Sequence, residues 1–267
     1  MADIRGILIS MEKRDASYKL DLPAIENEVG EVRFCFRQKV TSTNDWARDA
    51  ASELGASEIA LFLAENQTAG RGRGDHLWFS GPGSLTFSLL VPCPFALQDP
   101  QRGLFALAAG CAICAAVRPW GLEPRVKWPN DVFLGERKLA GVLIESVDQS
   151  RLVVGCGVNV NNDVSRIESA TSLREHAEES LDLTNVLIAL VSEINRQLSS
   201  IEEAPKKLIQ QVRQFDGLAG KLVRWSTGQK TETGVAQGIA EDGSLRIRTE
   251  QGEMTVYSGS VTVLRHV

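Results

Sequence analysis

Residues 126–141 read VKWPNDVFLGERKLAG. Strand character runs into Pro129, turns at Asn130 and Asp131, and resumes through Val132–Leu134. Proline has no N–H to donate to a ladder, and Asn and Asp favour turns by bonding their own backbone. The stretch therefore predicts short strands around an exposed turn, followed by a strand-like return that carries Lys138 ahead of Gly141. By itself it leaves two readings open. Asn130 and Asp131 are turn residues or ligand contacts, and Lys138 is a solvated charge or a pocket cation.

Outward from this hairpin, LAGVLIES (139–146) and RLVVGCGVNV (151–160) read as two further strands. Glycine inside a strand, as in GCGVNVNN (155–162), marks the close approach of a ligand or of another backbone. Upstream, FCFRQKV (34–40) alternates like a strand, EIALFLAEN (58–66) reads as a buried one, and LTFSLLV (85–91) as another. TSTNDWARDAASELG (41–55) begins with capping residues and ends on glycine, the pattern of a helix. A helix apolar nearly all round is predicted over 102–118, and a short one around LPAIENEV. Thr184 is the expected cap of a helix through LTNVLIALVSEINRQLSS, and a further helix is expected over about 203–215. After Gly217 the chain changes to short alternating strands with Gly turns at EDGS and EQGE, which reads as a small all-β barrel from residue 216.

The loop QTAGRGRGDHLW (67–78) follows a buried strand. It is neither a P-loop nor a GxGxxG turn. Glycine lets backbone N–H groups converge, and arginine presents a planar fork of donors suited to phosphate or carboxylate oxygens. The stretch is a surface connection, a nucleic-acid segment or an anion cradle. A net charge of −5 over 267 residues argues against nucleic acid, which selects a basic domain or stripe. Two uncharged runs fail as membrane spans: prolines and glycines interrupt 76–98, and 103–117 is shorter than the roughly 20 residues a spanning helix needs. No secretory leader opens the chain, so the expectation is a cytoplasmic protein with no membrane partner. Of the 5 cysteines, Cys111 and Cys114 form a CxxC inside an alanine-rich helix with no second ligand pair, which reads as core packing rather than zinc.

Taken jointly, TSTN, QTAGRGRG, KWPNDVFLGERKLAG and GCGVNV, with ATSL at 170–173, resemble the biotin protein ligases. The resemblance covers about residues 32–267. It implies an α+β fold: a mixed-sheet catalytic domain like the class II synthetases (32–215) and a small SH3-like β-barrel domain (216–267), after an N-terminal extension (1–31). It also implies the reaction. Biotin and MgATP give biotinyl-5′-AMP, and a lysine of a biotin carboxyl carrier protein domain, such as that of acetyl-CoA carboxylase, then displaces AMP.

The resemblance further assigns residues. Ser42, Thr43, Asn44 and Gln67 fall at the biotin end, where hydroxyls and amides match the donors and acceptor of a ureido ring. Gly141 and Gly157 would line the ring pocket. Gly70, Arg71, Gly72 and Arg73 match the ligand loop, and Lys138 matches the lysine that contacts carboxylate and phosphate; Arg73 and Lys138 carry the catalytic expectation. Asn130, Asp131, Asn159 and, more loosely, Trp78 fall on the ATP side, with Asp131 the candidate Mg²⁺ carboxylate. One departure stands out. Gly74, Asp75 and His76 replace the second Gly-Arg of many bacterial members, a spacing nearer to that of eukaryotic holocarboxylase synthetases. Too few residues precede the core for a DNA-binding module, so a ligase without nucleic-acid partners is expected, and a homodimer is compatible with the family. A lipoate ligase or octanoyltransferase of the same fold, and a non-catalytic biotinyl-AMP sensor, are the alternatives.

Overall fold

The computed structural model describes residues 18–74, 76–177, 179–227 and 230–264. Most of the expected 1–31 extension, and Asp75 of the loop, lie outside these residues.

Helix α1 (Leu22–Glu28) starts at Asp21, whose carboxylate accepts from Ala24 N–H, with proline in the first turn. That arrangement satisfies an orphan donor and uses proline where its missing N–H costs nothing. Then follow β1 (Arg33–Val40), α2 (Thr43–Ala50), β2 (Ala60–Gln67), β3 (Ser84–Pro92) and α3 (Leu104–Val117). The hairpin supplies β4 (Pro124–Lys127) and β5 (Asp131–Leu134), and the return is β6 (Arg137–Ser146), paired with β7 (Arg151–Asn159). Helices α4 (Leu173–Ala177), α5 (Leu183–Glu203) and α6 (Pro205–Gln214) complete this part.

The seven strands form one mixed sheet in the order β1-β2-β3-β7-β6-β5-β4, with β1 parallel to β2 and the remaining pairs antiparallel. Register sorts its residues onto two faces, because partners directly opposite share a face. Val142, Cys156, Phe87 and Leu63 form one row, and Ile144, Val154, Leu89 and Leu61 the next. This side belongs to the main core, together with α3 and α5. Every residue of α3 except Ala115 is buried. The helical stretch Pro100–Trp120 is apolar and long enough to span a membrane, yet it is the core helix of this layer.

The opposite face carries Leu143, Gly155, Ser88 and Phe62 in one row and Gly141, Gly157, Thr86 and Ala64 in the next. Helix α2 and the turn after it cover part of it, packing Ala47 and Ala51 against Phe62, Leu90 and Val153 in a small second core. Trp46 meets Phe62 edge-on at 5.0 Å. The rest of that face stays open as the floor of a cavity.

Two expectations change. Asp182, not Thr184, caps α5, its side chain accepting from Asn185 N–H, while the Thr184 hydroxyl accepts from Asp21 N–H and ties α1 to α5. The last helix begins at Pro205 because α5 runs on to Glu203.

The C-terminal strands β8 (Leu222–Thr227), β9 (Lys230–Ile239), β10 (Leu245–Thr249), β11 (Gly252–Val256) and β12 (Ser260–Val263) form an antiparallel sheet in the order β11-β10-β9-β8-β12. Among the described residues no ladder joins β11 to β12, so the SH3-like unit is an open five-stranded sheet rather than a hydrogen-bonded closed barrel. Its apolar side, including Val223, Trp225, Ile239 and Leu245, is continuous with the main core. Trp128 Nε1 donates to Gly243 O at 3.0 Å, tying the hairpin turn to the C-terminal sheet.

Candidate active site

A cavity of about 350 Å³ opens on the uncovered face of the large sheet. Its floor is glycine: Gly141 and Gly157 are opposite one another on β6 and β7, and Gly155 lies one row on. A Cβ at Gly155 would sit 2.1 Å from Asn44 Oδ1, so the amide lies flat on that backbone. Contact this close admits only glycine.

Ser42, Thr43 and Asn44 are buried at the start of α2. Ser42 occupies the N-cap position, yet its side chain makes no capping bond. Thr43 N–H donates instead to Gln67 Oε1 at 2.7 Å, fixing that amide at the end of β2. Ser88, fully buried on β3, has its Oγ 2.7 Å from both Thr43 Oγ1 and Asn44 Oδ1. Asn44 Nδ2 donates to Glu145 Oε2 at 2.7 Å. The result is a rigid polar wall in which nearly every buried group has a partner, the condition under which such networks hold one geometry.

The glycine-arginine loop is folded as a narrow ribbon over the cavity. Gly72 N–H donates to His76 O at 2.7 Å, Trp78 N–H donates to Gly70 O at 2.9 Å, and Arg71 bridges Leu77. Gly70 does not line the cavity; it is required because a Cβ there would lie 2.5 Å from Trp78 O. The exposed His76 serves the ribbon through its backbone. Trp78 swings inward, its indole lying over Gly157 and 3.5 Å from where a Gly141 Cβ would be. Its Nε1 is buried without a partner. Arg71 lines the cavity with its guanidinium already paired, to Glu145 at 2.8 Å and Asp45 at 2.9 Å.

Arg73 reaches the far rim, donating to Gly259 O at 3.2 Å and lying 3.4 Å from Asn130 Oδ1. Burial pushes its guanidinium below the usual arginine range, and the Asp131 carboxylate opposes that shift. Asn130 is locked to β6: its Nδ2 donates to Val142 O and its carbonyl accepts from Val142 N–H, both at 2.8 Å. The Trp128–Pro129 peptide between the two strands is cis. Lys127 and Asp131 face each other across β4 and β5, and Lys138 Nζ lies 2.7 Å from Asp131 Oδ1. Lys127 also lines the cavity, and burial pushes its ammonium below the usual lysine range. Three cations thus surround one carboxylate. Residues 169–171, which lead into and begin the ATSL run, pair with the backbone of Lys138, through Lys138 N–H to Ser169 O at 2.7 Å and Thr171 N–H to Lys138 O at 2.9 Å.

Of the residues expected from sequence, all but Gly70 and Asn159 line this one cavity. Asn159 is buried one row beyond Gly157 on the same face of β7, where its Oδ1 accepts from Asn162 Nδ2 at 3.0 Å. Sequence reasoning gave no role to Lys127, Gly155, Ser88, Glu145 or the Gly259–Val261 rim from the C-terminal sheet. Lys127 and Gly155 stood inside quoted motifs. Ser88 and Glu145 are brought in by ladder register and the rim by packing of the C-terminal sheet on the core, neither of which a local pattern encodes.

The described residues contain no group of three or more potential metal-ligating side chains. Among the described residues Asp131 is the one carboxylate on the cavity wall. A single carboxylate fits Mg²⁺ only where phosphate oxygens complete the shell, the usual arrangement for a nucleotide-borne ion.

A glycine floor, a wall of hydroxyls and amides, and a cluster of cations under an arginine loop define a site for a small polar ring joined to an anion. Residues 34–161 match the Biotin/lipoate A/B protein ligase family, and residues 220–264 match the Biotin protein ligase C terminal domain. The chain belongs to the biotin protein ligases. It is 31% identical over 234 residues to the biotin--[acetyl-CoA-carboxylase] ligase of Mycobacterium tuberculosis, covering 84% of this chain and 86% of that one. It is 29% identical over 237 residues to the bifunctional ligase/repressor BirA of Escherichia coli, covering 85% and 72%. The structure of the Aquifex aeolicus biotin protein ligase in complex with biotin and ATP superposes with a TM-score of 0.74 at 28% identity, covering 88% of this chain and 99% of that one.

Proposed function

We propose that this chain joins biotin to ATP, forming biotinyl-5′-AMP, and transfers the biotinyl group to a lysine of a biotin carboxyl carrier domain. It acts as a cytoplasmic enzyme, with residues 32–215 as the catalytic unit and 216–267 as the all-β unit. The observation that carries this reading is the meeting, over one glycine floor, of the Thr43–Gln67–Asn44 wall with Arg73, Lys127 and Lys138. The match of the C-terminal sheet to a biotin ligase domain favours biotin over lipoate.

In the first step a carboxylate oxygen of biotin attacks the α-phosphorus of ATP and pyrophosphate leaves. Two anions must be brought together, and the ammonium of Lys138 and the guanidinium of Arg73 offset their repulsion as charge develops. Lys138 is held by Asp131 at 2.7 Å, which aims the ammonium across the floor beside Gly141. Asp131 would also offer a carboxylate oxygen to the Mg²⁺ that accompanies the nucleotide, an ion that neutralises phosphate charge. The glycines admit the ureido ring, and the Gln67 and Asn44 amides orient it. In the second step the carrier lysine attacks the acyl carbon and AMP leaves. The Gly70–Trp78 ribbon shields the mixed anhydride from water before that amine arrives. Purified protein with biotin, MgATP and labelled pyrophosphate tests the first step. Label transfer to a carrier domain tests the second. No exchange with biotin would refute the reading.

A further inference from the structure

Resting on the ligase reading, we propose that Glu145 is a positioning residue that tethers the ligand loop to the biotin wall. Its Oε2 alone receives both Asn44 Nδ2 at 2.7 Å and Arg71 Nη2 at 2.8 Å. Arg71 stands in the loop and Asn44 in the wall, so one carboxylate oxygen joins the two substrate-facing parts. Asp45, the residue after Asn44 on α2, also takes Arg71, at 2.9 Å, but Glu145 is the carboxylate that holds the Asn44 amide itself. Arg48 stands 3.6 Å from the other oxygen of Glu145, so the local charge is balanced: Asp45 and Glu145 against Arg48 and Arg71.

The sheet explains the placement. Gly141, Leu143 and Glu145 alternate onto the cavity face of β6, opposite Gly157, Gly155 and Val153. Two rows are floor, and the third carries the carboxylate just past it, beneath α2. There the side chain is one quarter exposed, dry enough for its bonds to hold and close enough to the loop to reach Arg71. Arg71 therefore works as a strut of the loop, and contact with phosphate falls to Arg73.

A tether that favours the closed loop whether biotin or transition state lies beneath it contributes uniform binding. Its loss raises KM and leaves kcat in place. The test is biotin-dependent ATP–pyrophosphate exchange by the full chain and by Glu145→Gln, Arg71→Gln and the double variant, with biotin titrated. Each single substitution is expected to raise the KM for biotin about tenfold, and the double no further than the worse single, because both remove one link. A KM within about twofold of the parent, a loss confined to kcat, or multiplicative effects in the double would overturn the proposal.

Should Glu145→Gln not fold, Arg71→Gln, at a partly exposed position, carries the KM expectation. Tryptic cleavage after Arg73 in the substrate-free protein reads the tether without activity. Cleavage several-fold faster in Glu145→Gln is expected, and equal rates would contradict the tether. Absence of exchange by the parent protein would instead count against the ligase reading, with the cleavage arm still deciding the tether.

Discussion

The Trp78 indole lies so close over Gly157 that a Cβ on that glycine would stand 2.2 Å from the ring. The ring covers the floor assigned to biotin, with its N–H buried and unbonded. Biotin must therefore turn the ring aside beneath a loop still held through Arg71, and the displaced N–H regains a partner in solvent or ligand. Biotin binding should change tryptophan emission in this chain of 5 tryptophans, and Trp78→Phe should abolish most of the change. An undiminished change in that variant would place the moving ring elsewhere.

Lys138 supplies the cation nearest the floor and is joined to Asp131. Lys138→Ala leaves Asp131 facing two anionic substrates without its partner. The exchange rate should fall by at least about a hundredfold, the size of loss seen when one charge-stabilising donor is removed from an active site. Activity within about fivefold of the parent would remove Lys138 from the chemistry.

Arg73 bridges the loop and the C-terminal rim at Gly259. Arg73→Gly should loosen the grip on the adenylate phosphate, so that biotinyl-AMP escapes and labels lysines of bystander proteins. Mass spectrometry of a mixed-protein reaction reads this directly. Labelling confined to the carrier domain would contradict the assigned grip.

Gly155→Ala places a methyl against Asn44, which is fixed by Ser88 and Glu145 and has no room to yield. Overpacking of this kind costs about 1–3 kcal/mol. The urea midpoint should drop accordingly, and an unchanged midpoint would show that the wall is softer than its bonds imply.

The motifs and most elements were legible before the structure. Periodicity marked α3, whose 104–117 falls inside the expected 102–118, and the Pro-Asn-Asp turn separated β4 from β5. The STN motif marked residues that line the cavity, and its side chains do not cap α2 as a helix start alone would suggest. Helix capping misled at Thr184 because Asp182 stands two residues earlier and Thr184 is claimed by Asp21. Glu145 and Ser88 were invisible for a different reason. Asn44 and Glu145 are separated by 101 residues, and only the β6–β7–β3 register brings them to one face. Arg71 read as a ligand cation because charge-rich glycine loops suit anions. Its ion pairs to Asp45 and Glu145 could not be inferred from the loop itself.

Biotin-dependent exchange of pyrophosphate into ATP tests the central claim most directly. Exchange that requires biotin, is not supported by lipoate and disappears in Lys138→Ala is the predicted result. Exchange with lipoate alone, or tight biotin binding with no exchange, would contradict it.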